Sequence, residues 1–248
     1  MRLTQFLVHA GICSRRAAIK MIADGLVSIN GNIAEHPATV AGDEAIIADG
    51  RKAILPDQCC YVIYNKPVGI DCNCVADNPH SIVNHVTRPT RLFPVGRIDK
   101  DSHGLMLLTN DGILCQRLLS PDYSHPKTYR VSVEPHYQQP DIGADFQQRM
   151  SQGIELDGVL TRPCQLKLLS KNRFEITLTQ GLNRQIRRMA RSLGYKVIDL
   201  QRIRILNLTL TSLALNQSRE LSNTEISELK AHLSHSQTHM IGLRADLC

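Results

Sequence analysis

No tryptophan occurs among the 248 residues, and aromatic side chains make up only 4% of the chain. No apolar run approaches the roughly 18 residues that a membrane-spanning helix needs. The opening "MRLTQFLVHAG" lacks both the apolar length and the small-residue cleavage site of a secretion signal. There is no glycine-rich phosphate loop, no HExxH and no paired CxxC. A soluble, cytoplasmic protein is expected, without a metal or nucleotide cofactor. The nearest approach to a metal motif is Cys72-Asn73-Cys74, two thiols without the second matched pair that a closed zinc site requires. The eight cysteines follow no regular spacing and sit mostly in apolar or strand-like stretches, so reduced thiols are expected.

What is abundant is positive charge. Lysine and arginine number 29 against 23 acids, a formal net charge of +6, which favours an anionic partner. Charge alone does not separate nucleic acid from an acidic membrane surface.

The first fifty residues read as a unit of their own. "LTQFLVHAG" predicts a short helix closed by Gly11, and Ser14 can cap a second helix, "RRAAIKMIADG", that stops at Gly25. "LVSINGNIA" alternates around Asn30-Gly31, a strong hairpin signal, and "EAIIA" ends at Asp49-Gly50. Arg2, Arg15, Arg16 and Lys20 lie in or beside these helices with one acid, Asp24. They form either a solvated face or a set of phosphate contacts. Arg16 and Lys20 share one face, opposite an apolar set that includes Ile19 and Ile22.

Residues 51–59 read as a linker around Pro56. Beyond it strands dominate, with "CYVIYN", "RLFPV", "LMLLT", "KTYRVSVE", "FEITLT" and "IRILNLTL" as candidates. Helices are predicted near 113–119, 141–151, 184–193 and 223–233. This order indicates an α+β fold: a small helix-helix-hairpin domain over 1–50, a larger mixed-sheet domain over 60–235, and a loose tail over 236–248.

"QGLNRQIRRMARSLG" carries the clearest pattern. Ile186, Met189, Ala190 and Leu193 define one helical stripe, while Arg184, Arg187, Arg188 and Arg191 repeat that spacing on roughly the opposite side, at about 100° per residue. No acid stands four residues away to pair with them, so they need phosphate or a carboxylate from elsewhere. With no Trp or Phe to insert, the helix is ill suited to a membrane surface.

A second charged cluster, "GRIDKDSHG" at 96–104, lies between two apolar runs. Together with "KTYRVSV" and the basic helix it resembles, in order and rough spacing, the three motifs of the pseudouridine synthases of the RsuA and RluF type. The opening unit resembles the small RNA-binding fold named after ribosomal small-subunit protein four, which that family carries ahead of its catalytic domain. The likeness runs from about residue 2 to about 233.

The resemblance implies isomerisation of a uridine in RNA without any cofactor. "QGLNRQIRRM" is the form associated with the RluF branch, which implies large-subunit (23S) ribosomal RNA as target and a tRNA anticodon as a second. It assigns Asp99 as the catalytic aspartate, Arg187 as the cation paired with it, Tyr129 as the residue packing on the base, and Arg97 as a neighbour of the nucleotide. Arg184, Arg188 and Arg191 become RNA contacts, and Lys66, in "YNKPVG", a further one. Asp101 and His103 are left as loop residues that fix backbone shape.

The chemistry fits those residue types. The carboxylate must be ionised to attack sugar or base or to take a proton, and a nearby arginine holds it so. The uridine must leave its stack, and an aromatic ring returns part of that cost. Whether Tyr129 also moves a proton stays open. Two other readings stand: a non-catalytic RNA-binding or ribosome-assembly factor, which would not need Asp99, and an RNA methyltransferase, which would show a glycine-rich cofactor loop. A monomer is expected.

Overall fold

The computed structural model describes residues 1–75, 77–120, 123–136 and 139–245, with side chains as far as residue 234. It divides into two compact units. The smaller comprises Met1–Tyr61 with Thr87–Phe93 and Thr109–Gly112, and the larger holds the remainder.

In the smaller unit α1 (Leu3–His9) and α2 (Arg15–Ala23) precede β1 (Val27–Ile29), β2 (Asn32–Ile33), β3 (Ile46–Ala48) and β4 (Arg51–Lys52). The strands form one sheet in the order β2-β1-β3-β4. Ser14 caps α2 as expected, accepting the Ala17 N–H at 3.3 Å. Asn30-Gly31 and Asp49-Gly50 all have positive φ, the conformation a two-residue hairpin turn demands. Leu3, Phe6, Leu7, Ala18, Ile22, Val27 and Ile46 make the core.

Two expectations change here. Residues 51–52 are strand β4 rather than linker, and Ala53 is buried against the same core. Ile19 is 40% exposed, so α2 seats itself through Ala18 and Ile22, one turn apart.

The chain continues with β5 (Tyr61–Lys66), β6 (Phe93–Pro94), β7 (His103–Thr109), α3 (Gly112–Leu119), β8 (Lys127–Pro135) and α4 (Ala144–Gln152). There follow β9 (Glu155–Leu156), β10 (Val159–Leu160), β11 (Gln165–Ser170), β12 (Arg173–Leu178) and α5 (Gln185–Ser192). The last elements are β13 (Tyr195–Ile205), β14 (Leu208–Thr209), β15 (Ser218–Glu220) and α6 (Asn223–Ala245). The segment expected to be a loose tail is helical through Ala245, and residues 246–248 lie outside the described residues.

The main sheet runs β11-β12-β8-β13-β7-β5-β15. β13 is antiparallel to β8 and parallel to β7, so the sheet is mixed and the α+β expectation holds. Helix α5 lays its apolar stripe on this sheet: Ile186, Met189, Ala190 and Leu193 are all buried, in a core with Val131, Val133, Phe174 and Leu200. The helical period had placed those four residues on one face, and burial of that face is what holds so cationic a helix in place.

β7 and β13 approach closely. Gly104 has φ of +107°, and a Cβ built there lies 2.3 Å from the Arg202 carbonyl oxygen. Only glycine fits this junction. Gly104→Ala should therefore lower stability by more than about 1 kcal/mol, read as an earlier midpoint in urea unfolding.

Candidate active site

The charged cluster folds into a tight turn in which the Ser102 N–H reaches the Asp99 carbonyl at 3.0 Å. Beside it a cavity of about 340 Å³ opens, of the size that takes a small ligand. Leu178, Ile186, Leu200 and Tyr129 give it apolar walls, and Arg97, Asp99 and Arg184 bring charge to it. A flat base suits such walls. Arg97 is exposed, and the Asp99 side chain is 25% exposed, so the carboxylate is reachable yet partly dried.

The Asp99 ion pair is with Arg184, Nη1 to Oδ2 at 3.6 Å. This corrects the expected direct partner, Arg187. Arg187 instead turns its guanidinium along the back of the loop, donating to the Asp101 carbonyl at 2.9 Å, the Ser102 hydroxyl at 3.1 Å and the Val197 carbonyl at 3.1 Å. Its charge still acts on Asp99 at longer range. Burial pulls the Arg187 pKa down and Asp101 opposes this, but a guanidinium stays protonated at any working pH.

Asp101, set aside as a loop residue, lies at the centre. It takes a forked pair of hydrogen bonds from Arg184, 3.1 Å from Nη1 and 2.8 Å from Nη2, and its carboxylate stands 3.5 Å from Arg187. The hydrogen bonds from Arg184 hold its carboxyl below the usual aspartate range, and the same pair raises Arg184. Arg184 is itself unusual: it precedes α5 with φ of +47°, a left-handed conformation that disfavours a side chain. That backbone aims its guanidinium back at the turn.

His103, the other residue set aside, bonds Asp199 at 2.8 Å and lines the cavity. Tyr129 lines it from β8, with its ring packed against the core.

The basic helix had called for carboxylates from elsewhere, and three of its arginines have them. Arg184 and Arg187 meet Asp101, and Arg188 pairs with Asp157 at 2.6 Å. Arg188 is thus already engaged, whereas Arg191 is exposed. In the smaller unit Arg2, Arg15, Arg16 and Lys20 are all exposed.

Lys66 requires a correction. It is fully buried, and its ammonium donates to the Pro67 and Ile70 carbonyls at 2.9 and 2.7 Å, so it is not available to RNA. Burial lowers its pKa. Its contribution is to shape the Pro67–Ile70 loop, whose Gly69 N–H in turn holds the Lys100 carbonyl at 2.8 Å. The Asp99–Ser102 turn is therefore braced from two sides.

Among the described residues no group of three or more His, Cys, Asp or Glu side chains could hold a metal ion, and no helix is long and apolar enough to cross a membrane. The Cys72 thiol donates to the Ile98 carbonyl at 3.3 Å.

Comparison with known proteins gives two family matches within this chain. Residues 60–192 match the RNA pseudouridylate synthase family, and residues 1–47 match the S4 domain. The dual-specificity RNA pseudouridine synthase RluF of Salmonella typhi is 38% identical over 92% of this chain and 78% of its own length. Ribosomal large subunit pseudouridine synthase B of Bacillus subtilis is 33% identical over 95% of this chain and 98% of its own. A crystal structure of a pseudouridylate synthase superposes with a TM-score of 0.66 at 29% identity, covering 92% of this chain and 99% of the other.

The chain belongs to the RNA pseudouridylate synthase family. It is an isomerase that converts uridine in RNA to pseudouridine, and its amino-terminal S4 domain is an RNA-binding one.

Because the folded-state pKa of Asp101 is depressed, its contribution to stability is full above the ordinary aspartate range and is lost as pH falls through the depressed value. Thermal unfolding should show Asp101→Asn less stable than wild type at neutral pH, with the gap closing on acidification. A gap that widens towards low pH would contradict the pairing.

Proposed function

We propose that the cavity beside Asp99 receives a uridine turned out of its RNA strand, and that the target lies in large-subunit (23S) ribosomal RNA, with a tRNA anticodon as a second substrate. The observation that carries this reading is the partly dried Asp99 carboxylate on a cavity with apolar walls, with Arg184 at 3.6 Å. The relatives support the target: one is a dual-specificity RNA pseudouridine synthase and another a ribosomal large-subunit pseudouridine synthase.

In this reading Asp99 supplies the ionised oxygen that the reaction needs. The bond from ribose C1′ to uracil N1 breaks, the ring turns, and C5 joins C1′; a proton leaves C5 and one is gained at N1. No electron acceptor or nucleotide is consumed. Arg184 stands beside the Asp99 carboxylate at 3.6 Å, and Arg187 acts by holding the turn and adding its charge at longer range. Tyr129 is the surface on which the base stacks, which offsets part of the cost of extruding it.

Arg97 and Arg191 are the phosphate contacts of the larger unit, with Arg184 and Arg188 free to join them only if they leave Asp101 and Asp157. Arg2, Arg15, Arg16 and Lys20 serve the smaller one. The functional division is an RNA-binding module over 1–50 and a catalytic module from residue 60, acting as a cytoplasmic monomer.

Asp99→Asn should abolish tritium release from RNA labelled at uracil C5 while RNA affinity stays close to wild type. Normal turnover by that variant removes Asp99 from the mechanism. Tyr129→Phe divides the roles of the tyrosine: full activity leaves stacking and discards proton transfer by the hydroxyl. Chemical mapping of pseudouridine in ribosomal RNA and tRNA, from cells with and without the protein, tests the target. A site lost only in small-subunit RNA would contradict it.

A further inference from the structure

Arg202 has no part in the reading above, yet it lines the same cavity. It sits on β13 directly across from Tyr129 on β8, with side-chain-free Gly104 beside it on β7. Cross-strand partners project to one face, so Arg202 and the base-stacking tyrosine are neighbours at the cavity floor.

The residue is 2% exposed. Its Nε donates to the Leu105 carbonyl at 2.7 Å and its Nη2 reaches the Met106 sulfur at 2.8 Å, both neutral acceptors. Among the described residues no carboxylate pairs with it. The cations nearby worsen the balance: burial first, and then the Arg202 charge, bring Lys127 down to about 8. A buried cation without an anion is costly, and protein folds normally pair one. Among the described residues Nη1 makes no hydrogen bond, and the residue lines the cavity.

The nucleotide could offer two anions. A phosphate stays at the rim, where Arg97 is exposed and the Arg184 side chain is 44% exposed. At the floor, between Leu200 and Tyr129, only the base fits the chemistry of the walls. When C1′–N1 breaks, its electron pair remains on the ring and spreads to the two carbonyl oxygens. A fixed donor in a dry site acts most strongly on charge that develops during reaction.

We propose that Arg202 is a substrate-contacting residue that donates hydrogen bonds to the uracil carbonyl oxygens and holds the negative charge of the ring while it is detached from ribose. The charge disappears when C5 bonds to C1′, C5 loses its proton and N1 gains one, so no co-reactant is required. The inference rests on the cavity being the uridine pocket.

The test uses full-length protein, with Arg202→Met and Arg202→Lys, on RNAs carrying uridine or 5-fluorouridine at the target. Fluorine stabilises the ring anion and so reduces the need for a cation. Single-turnover loss of the N1-linked nucleoside, RNA affinity and thermal unfolding are measured together. Arg202→Met should fold and bind RNA like wild type while its rate on uridine falls about 100-fold or more, the size expected for one such donor. The loss on 5-fluorouridine should be clearly smaller, and Arg202→Lys should fall between. A wild-type rate in Arg202→Met overturns the proposal. So do equal losses on both RNAs, in Arg202→Lys if Arg202→Met does not fold. Failure of the pocket reading itself has another signature, Asp99→Asn turning over normally, and takes this inference with it.

Discussion

The attachment of the Asp99–Ser102 turn to the start of α5 is the constraint on which the rest of the site depends. Asp101 joins them, gripping Arg184 with its carboxylate and Arg187 with its backbone carbonyl, while the Ser102 hydroxyl adds a further contact. Asp99 has no freedom to wander once its neighbour two residues on is fixed to two guanidinium groups. The same contacts set the position of Arg184 beside Asp99. A forked arginine–carboxylate pair defines orientation as well as distance, which a lysine in place of Arg184 could not do.

The sheet makes this clamp possible. α5 stays where it is because Ile186, Met189 and Ala190 are buried on β8, β12 and β13, leaving Arg184 and Arg187 to face the loop. The loop stays because β7 lies against β13 at a point only glycine tolerates, and because the buried ammonium of Lys66 braces the backbone that holds Lys100. Apolar burial thus supplies the strength, and a few charge-assisted bonds supply the geometry. Chemistry is confined to groups that the core has already positioned.

Periodicity was legible from the amino acids alone where one element decides its own structure. The α5 stripe, the Asn30-Gly31 turn and the Ser14 cap depend on neighbours within a few residues, and all three are present. The cavity residues Asp99 and Tyr129 were legible through motif resemblance rather than through physics. What stayed hidden depends on contacts distant in the chain. Asp101 and Arg184 are 83 residues apart, so nothing local showed that Asp101 would take the arginines and leave Arg184 to face Asp99. Lys66 was expected to touch RNA because its burial is a property of the sheet around it, and Arg202 drew no notice within "LQRIRIL" for the same reason. The strand at 51–52 was missed because its apolar content is too small to signal a strand without its partner β3.

The clamp is tested most directly by a double-mutant cycle between Asp101→Asn and Arg184→Met, read in the single-turnover rate of pseudouridine formation. If the pair positions Asp99, the two losses overlap and the coupling is about 1 kcal/mol or more. Losses that add to within about 0.3–0.5 kcal/mol would mean that the two side chains act independently, and that something other than their contact sets the Asp99 carboxylate.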